Sequence, residues 1–420
     1  MSALKKLLIV VAILVTIVAA IPLVLPYENY KADIEKAVSA RLDTEVKISS
    51  IHFSYTPKPQ LVLEKVSFGK ADEGMVSRVI VPVTLKNLVN IRKELADVAL
   101  EQGTLKQEFA RSLPGRLKPD ASGKDIYFAA LRLSDFSVLL DKDSIGPFSG
   151  TLRFNPDGTF KVVTLTDKDG RANLTIKPTG EKFALDFDAK NWVLPGGNYP
   201  DARFDQLVLR GSADKDGFVV DDVNGLIFGS AAVGQAKLSW NEGWKLSGSL
   251  QTKSMQAEPL ISLVSSNTRA TGRMAASTDF EFVGDSFETL FKQPRITMNF
   301  TVTDGNLHNL DLIAPLKSPN PTVLRRGGQT RFDTLRGDMS IENGVTTLRN
   351  LNLDSGKFTA AGGMAISADK KLSGKVSAKL SAGAATFSAP LTFGGTLDAP
   401  ELRSSGTYKP GSDDASTRIF

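Results

Sequence analysis

Cysteine is absent from the 420 residues, which excludes a disulfide framework, a thiol nucleophile and any cysteine-ligated metal. Histidine is nearly absent: the chain has two, His52 and His308, in different strand contexts. No His-Glu-x-x-His, Gly-x-Ser-x-Gly or Walker A pattern occurs, so both histidines read as structural, and neither a catalytic residue, a metal nor a cofactor is expected. Two stretches, Asp167-Lys-Asp169-Gly170 and Asp214-Lys-Asp216-Gly217, echo calcium loops but lack the ligand series that ends in a bidentate Glu; hairpin turns explain them. Blocks of one charge are missing too. The 51 Lys and Arg residues are interleaved with 46 Asp and Glu, for a net +5, a pattern that fits a solvated surface near anionic lipid better than a nucleic-acid groove.

Long apolar runs are missing with one exception. Leu7 to Leu25 carries no charge, and about 19 residues at ~1.5 Å each approach the ~30 Å thickness of bilayer hydrocarbon. A cleaved secretory signal is the competing reading, with a cleavage site after Val18-Ala19-Ala20. The run continues past that point through Ile21, Leu23, Val24 and Leu25, which favours an uncleaved anchor. Lys5 and Lys6 place residues 1–6 in the cytoplasm and the rest of the chain across the membrane.

What is abundant is strand and turn. Asp157-Gly158, Asp169-Gly170, Asp216-Gly217, Asn224-Gly225, Asp304-Gly305 and Asn343-Gly344 are dipeptides suited to two-residue hairpin loops. In "KFALDFDA", Phe183, Leu185 and Phe187 fall on one face and Lys182, Asp186 and Asp188 on the other. "ITMNFTVTDG" does the same with Ile296, Met298, Phe300 and Val302. Such alternation recurs from about Val46 to Leu402 and predicts a mostly β chain, a long antiparallel meander with few helices. An amphipathic helix is expected over 27–43, where Tyr30, Ile34, Val38 and Leu42 repeat at i+4. Short helices are expected at Leu85 to Asn90, Glu258 to Ser265 and Ser286 to Lys292. Long loops are expected at Pro195-Gly196-Gly197 and from Lys317 to Thr330, and a disordered tail over 404–420.

The succession of these features resembles the AsmA-like family of Gram-negative envelope proteins. The likeness begins with the anchor, Pro26 and the helix leading into "TEVKISSIHFSYTPKPQLVLEKVSFG". It returns in "VTDGNLHNLDL" and in "FDTLRGDMSIENGVTTLRNLNLDSGKFTAAGGMAI". Asp43 stands where the family often has glycine, and Gly103 to Val283 match only in texture. The resemblance implies an elongated β-groove, a taco-like curled sheet related to bridge-like lipid-transfer proteins, and work on lipid or outer-membrane assembly. It divides the chain into a tip (1–6), an anchor (7–25), the helix (27–43), an N-terminal and central groove region (44–285), an AsmA-like C-terminal β region (286–403) and the tail.

A sheet with few helices to cover it leaves an apolar face in need of a partner, and an acyl chain is a suitable one. The expected lining is Phe183, Leu185, Phe187, Ile296, Met298, Phe300 and Val302. Arg325, Arg326 and Arg331 are candidates to hold a phosphate head group through charge-assisted bonds, against the plainer reading of a solvated loop. The expected partners are the inner membrane, phospholipid or another acyl lipid, and outer-membrane assembly or bridging proteins, with no nucleic acid. The rival function is a scaffold or assembly factor that carries no lipid, its apolar face being wholly core.

Overall fold

The computed structural model describes residues 26–406 apart from 70–72, 85–93, 96, 117–126, 141–143, 194–202, 242, 263–264, 266, 268 and 326. The tip 1–6, the anchor 7–25, the helix expected at Leu85 to Asn90, the loop at Pro195-Gly196-Gly197, Arg326 and most of the tail lie outside the described residues. Among the described residues no helix is long and apolar enough to cross a membrane. The fold is mostly β, with 22 strands in one hydrogen-bonded sheet. Two compact units divide the chain, one up to Asp188 and one from Ala189.

The first unit opens with a 3₁₀ turn, Tyr27–Tyr30, that runs into helix α1 (Lys31–Leu42). Tyr27 stands seven residues, about two α-helical turns, before Ile34. Tyr27 therefore joins Ile34, Val38 and Leu42 against the core, while Tyr30 is 58% exposed. Asp43 ends the helix at φ 48°, in the left-handed region that glycine usually occupies.

Strands β1 (Val46–Ser54), β2 (Gln60–Phe68) and β3 (Gly74–Pro82) follow as antiparallel neighbours. The other edge of β1 is met by the helix. The Ile48 N–H donates to Glu35 Oε1 at 2.7 Å, the Ile51 N–H to Glu28 Oε1 at 2.8 Å and the Val46 N–H to Ser39 Oγ at 2.9 Å. Lys31 Nζ donates to the Ser49 carbonyl at 3.0 Å.

Next come β4 (Glu94–Leu95), β5 (Val98–Lys106), helix α2 (Gln107–Arg116), β6 (Tyr127–Phe128) and β7 (Ala130–Leu139). Here the chain departs from an antiparallel meander, since β5 pairs with β7 in parallel. Parallel neighbours need a crossover connection, and α2 rides in it. The sequence reading missed this helix because Pro114 lies inside it, where proline is disfavoured; Phe109 and Leu113, four apart, were its signal. Phe109 stacks on Phe68 with ring centroids 5.8 Å apart, and Arg116 Nη1 donates to the carbonyls of Leu42 and Asp43. The two helices thus cover a core of Val46, Ile48, Ile51, Val66, Val76 and Phe136. Beyond it lie β8 (Ser144–Phe154), β9 (Phe160–Asp167), β10 (Ala172–Thr179) and β11 (Lys182–Val193). Asp157-Gly158 and Asp169-Gly170 occupy turns between them as expected, and Asp167 Oδ1 closes the second by accepting the N–H groups of Arg171 and Ala172 at 2.6 and 2.8 Å.

The second unit continues with β12 (Arg203–Ala213), β13 (Gly217–Ile227), β14 (Ser230–Ser239), β15 (Trp244–Gln256), helix α3 (Ala257–Ser262), β16 (Arg269–Gly284), helix α4 (Phe287–Leu290) and β17 (Arg295–His308). After a 3₁₀ turn at Ala314–Lys317 come β18 (Thr322–Arg325), β19 (Gln329–Glu342), β20 (Val345–Asp354), β21 (Phe358–Ile366), β22 (Leu372–Ala382), β23 (Ala385–Thr396) and β24 (Ala399–Ser404). Consecutive strands pair antiparallel except at one place: β17 pairs with β19, and β18 pairs with β24. The stretch Lys317 to Thr330, expected as a loop, therefore holds a strand whose partner lies near the end of the sheet.

Two expected turns are also corrected, since Asn224-Gly225 lies within β13 and Asp304-Gly305 within β17. Asp304 takes φ 54°, and Gly305 lies beneath the Phe332 ring of the neighbouring strand, where a Cβ would come within 2.1 Å of it. Left-handed tolerance and absent side chain serve a close approach there, not a reversal. Met255, Met274 and Val302 from β15 to β17 share one core with Phe358, Val376 and Leu391 from β21 to β23. The segment before β18 is seated in that core through Leu312 and Leu316, 4% and 1% exposed. Buried Thr330 fastens it, its Oγ1 donating to the Leu310 carbonyl at 2.8 Å and accepting the Leu312 N–H at 2.9 Å.

Candidate functional site

In the first unit the apolar face outruns its cover. Phe136 lies across from Phe148, and alternation along β8 puts Leu152 and Phe154 on the same face as Phe148. Antiparallel register carries this face onward: Leu152 opposes Val163, Val163 opposes Ile176, and Leu165 opposes Leu174. The rings continue it, with Phe154 and Phe160 centroids 6.3 Å apart and Phe160 and Phe183 6.1 Å apart. Phe183, Leu185 and Phe187 follow on β11, each half-buried, while Lys182, Asp186 and Asp188 are exposed. Among the described residues the larger side chains from Leu152 to Phe187 on this face belong to neither buried core, although Ala172 among them is buried. They form an apolar surface four strands wide, about 14 Å between the outer backbones at ~4.8 Å per strand, lying half in contact with solvent.

The second unit splits the other expected lining. Ile296 and Met298 are half-buried, whereas Phe300 packs against the closed core and Val302, 6% exposed, is part of it. Ile296 lies across from Phe280 and from Ile341, and a chain of rings borders this end. Phe218, Trp240, Trp244, Phe287, Phe291 and Phe282 follow one another at centroid spacings of 4.8, 5.8, 5.5, 6.0 and 5.4 Å. The opposite face is charge-compensated. A hydrogen bond from Lys245 and the nearby Arg295 hold the Glu281 carboxyl below its ordinary range.

The arginines expected at a head group sit on different strands. Arg325 is in register with Glu401 and forms an ion pair with it at 3.2 Å, and Arg331 is in register with Asn306. His308 Nε2 lies 3.5 Å from Asn306 Nδ2, and His52 is exposed on β1. The sequence reading missed the contributions of β8 to β10. Their signal was present in the alternation of "TLRF" and in Leu174 and Ile176, but nothing local says whether such a face is covered. No family model matches the chain, nor does any curated protein.

Proposed function

We propose that this chain is a single-pass inner-membrane protein whose β region, across the membrane from the tip, binds acyl lipid along the apolar face of β8 to β11, in envelope lipid homeostasis or transport. The observation that carries the reading is that face: a continuous row of half-buried Phe, Leu, Ile and Val that joins neither closed core among the described residues. A 16-carbon acyl chain bare in water costs about 13 kcal/mol at ~0.8 kcal/mol per methylene, so a half-covered apolar strip lowers the barrier to leaving a bilayer without covalent chemistry or a cofactor. The likeness to AsmA-like proteins supports the same reading, as does the anchor expected at 7–25.

A photo-crosslinker at Phe187 should capture lipid in cells, and one at Asp186, whose side chain points the other way, should not. Equal capture at both positions, or at neither, overturns the reading. A second reading, a scaffold for outer-membrane assembly that carries no lipid, is favoured by the closed core around Leu312 and Leu316 in the second unit. Under it, crosslinks from Phe187 would run to protein and not to lipid.

A further inference from the structure

The polar side of the second unit carries an open depression of about 530 Å³. Its floor is made of short side chains on two adjacent strands, Ala275 and Ser277 of β16 beside Thr301 and Asn299 of β17. Longer side chains wall it. Arg336 stands next to Thr301 on β19, and Lys253 lies on the far side of Ala275, within the register shift of β15 between Thr252 and Met255. A second register shift, between Leu348 and Leu351, places Asn350 at the opposite rim with φ 51°. Irregularities of this kind re-aim side chains and are enriched beside functional sites.

Two properties define what fits. Lys253 and Arg336 are exposed, and neither has an ion pair or side-chain hydrogen bond among the described residues. Some nearby cations do: Lys245 and Arg295 with Glu281, and Arg273 with Asp304. Two unneutralised cations facing each other across a floor of short residues suit one phosphate, which each can reach by bending inward. The rest of the lining mixes hydroxyl and amide groups with Ala276, Phe300 and Gly337, and it includes one carboxylate, Asp338, which accepts a hydrogen bond from Asn350 Nδ2 at 2.6 Å. That carboxylate disfavours a densely anionic chain such as nucleic acid, and it accepts hydrogen bonds from hydroxyl groups.

We infer that this depression binds a phosphate ester of a polyol, with Lys253 and Arg336 on the phosphate and Asn299, Ser277 and Asp338 on the hydroxyls. The site lies on the opposite face from the apolar row of its own unit and does not depend on the lipid reading above. Two sources supply this chemistry, a glycerophosphate lipid head group and a free sugar phosphate.

The test is equilibrium dialysis of the full chain in neutral detergent against glycerophosphoglycerol, glucose 6-phosphate, inorganic phosphate and single-stranded DNA. Saturable binding of either ester supports the inference. A preference for the diester assigns the head group, and a preference for the monoester assigns the soluble sugar. The Lys253→Gln, Arg336→Gln double variant should weaken binding at least about tenfold with an unchanged circular-dichroism melt, since both side chains are exposed. Asn299→Ala should narrow the gap between the ester and inorganic phosphate. Binding of neither ester, equal binding of inorganic phosphate, tighter binding of DNA, or affinity unchanged in the double variant each overturns it.

Discussion

The closed and the half-exposed apolar faces differ in how deeply they are buried rather than in what they are made of. Around Phe358, Leu391 and Leu316 the strands of the second unit meet across an inserted segment, and these side chains are 1%, 0% and 1% exposed. On β8 to β11 the same alternation of Phe, Leu, Ile and Val ends in half-exposure. Neighbouring β5 and β7 are covered because α2 crosses over them. An apolar stripe thus becomes closed core or half-exposed face according to one inserted segment, a matter of connectivity that strand composition does not encode.

The largest effect that sharpens this contrast is expected at Phe358. Phe358→Ala removes a fully enclosed ring and should cost about 3–5 kcal/mol, read as an earlier denaturant midpoint for the second unit; a loss under about 1 kcal/mol would mean that the core there is loose. Phe187→Asp is the counterpart. On a half-exposed face the new carboxylate keeps part of its hydration, so the loss should be smaller than at Phe358, about 1–2 kcal/mol, while lipid co-purifying with the protein falls sharply. Unfolding by this change, with no lipid lost, would erase the distinction between the two regions.

The alternation Phe183, Leu185, Phe187 was legible because period two needs only neighbours in sequence, and α1 was legible because its stripe repeats every turn. Asp304-Gly305 misled because a turn and a bulge ask for the same backbone, and only the Phe332 ring across the sheet tells them apart. The strand β18 was hidden because its partner, β24, lies far along the chain. For the candidate surface, the residues of β11 could be read in advance, but the division of Ile296 and Met298 from Val302 could not. It depends on where Leu312 and Leu316 are seated.

The smallest expected effect lies far from either region, in the turn before β22. Asp369 accepts hydrogen bonds from Lys371 and Ser367, which hold its carboxyl down to about 2. A depressed carboxylate contributes stability above its unfolded value of ~3.9 and loses it as pH falls through the folded value. Both groups are exposed, so Asp369→Asn should leave the melting temperature at neutral pH nearly unchanged. A carbon-detected titration should place the Asp369 midpoint near 2, and a midpoint near 4 would mean the contact does not persist in solution.

The side chains along β1 have a consequence for how this molecule behaves in company. A strand arriving from another copy would find the N–H groups of Val46, Ile48 and Ile51 already taken by Ser39, Glu35 and Glu28. To add itself it would have to unseat a packed helix and break bonds to two carboxylates, each worth roughly 1.5–3 kcal/mol. The leading strand is therefore a stop and not a template. Removing both carboxylates, as Glu28→Ala with Glu35→Ala, should turn it into one, read in light scattering as larger assemblies than the parent chain gives.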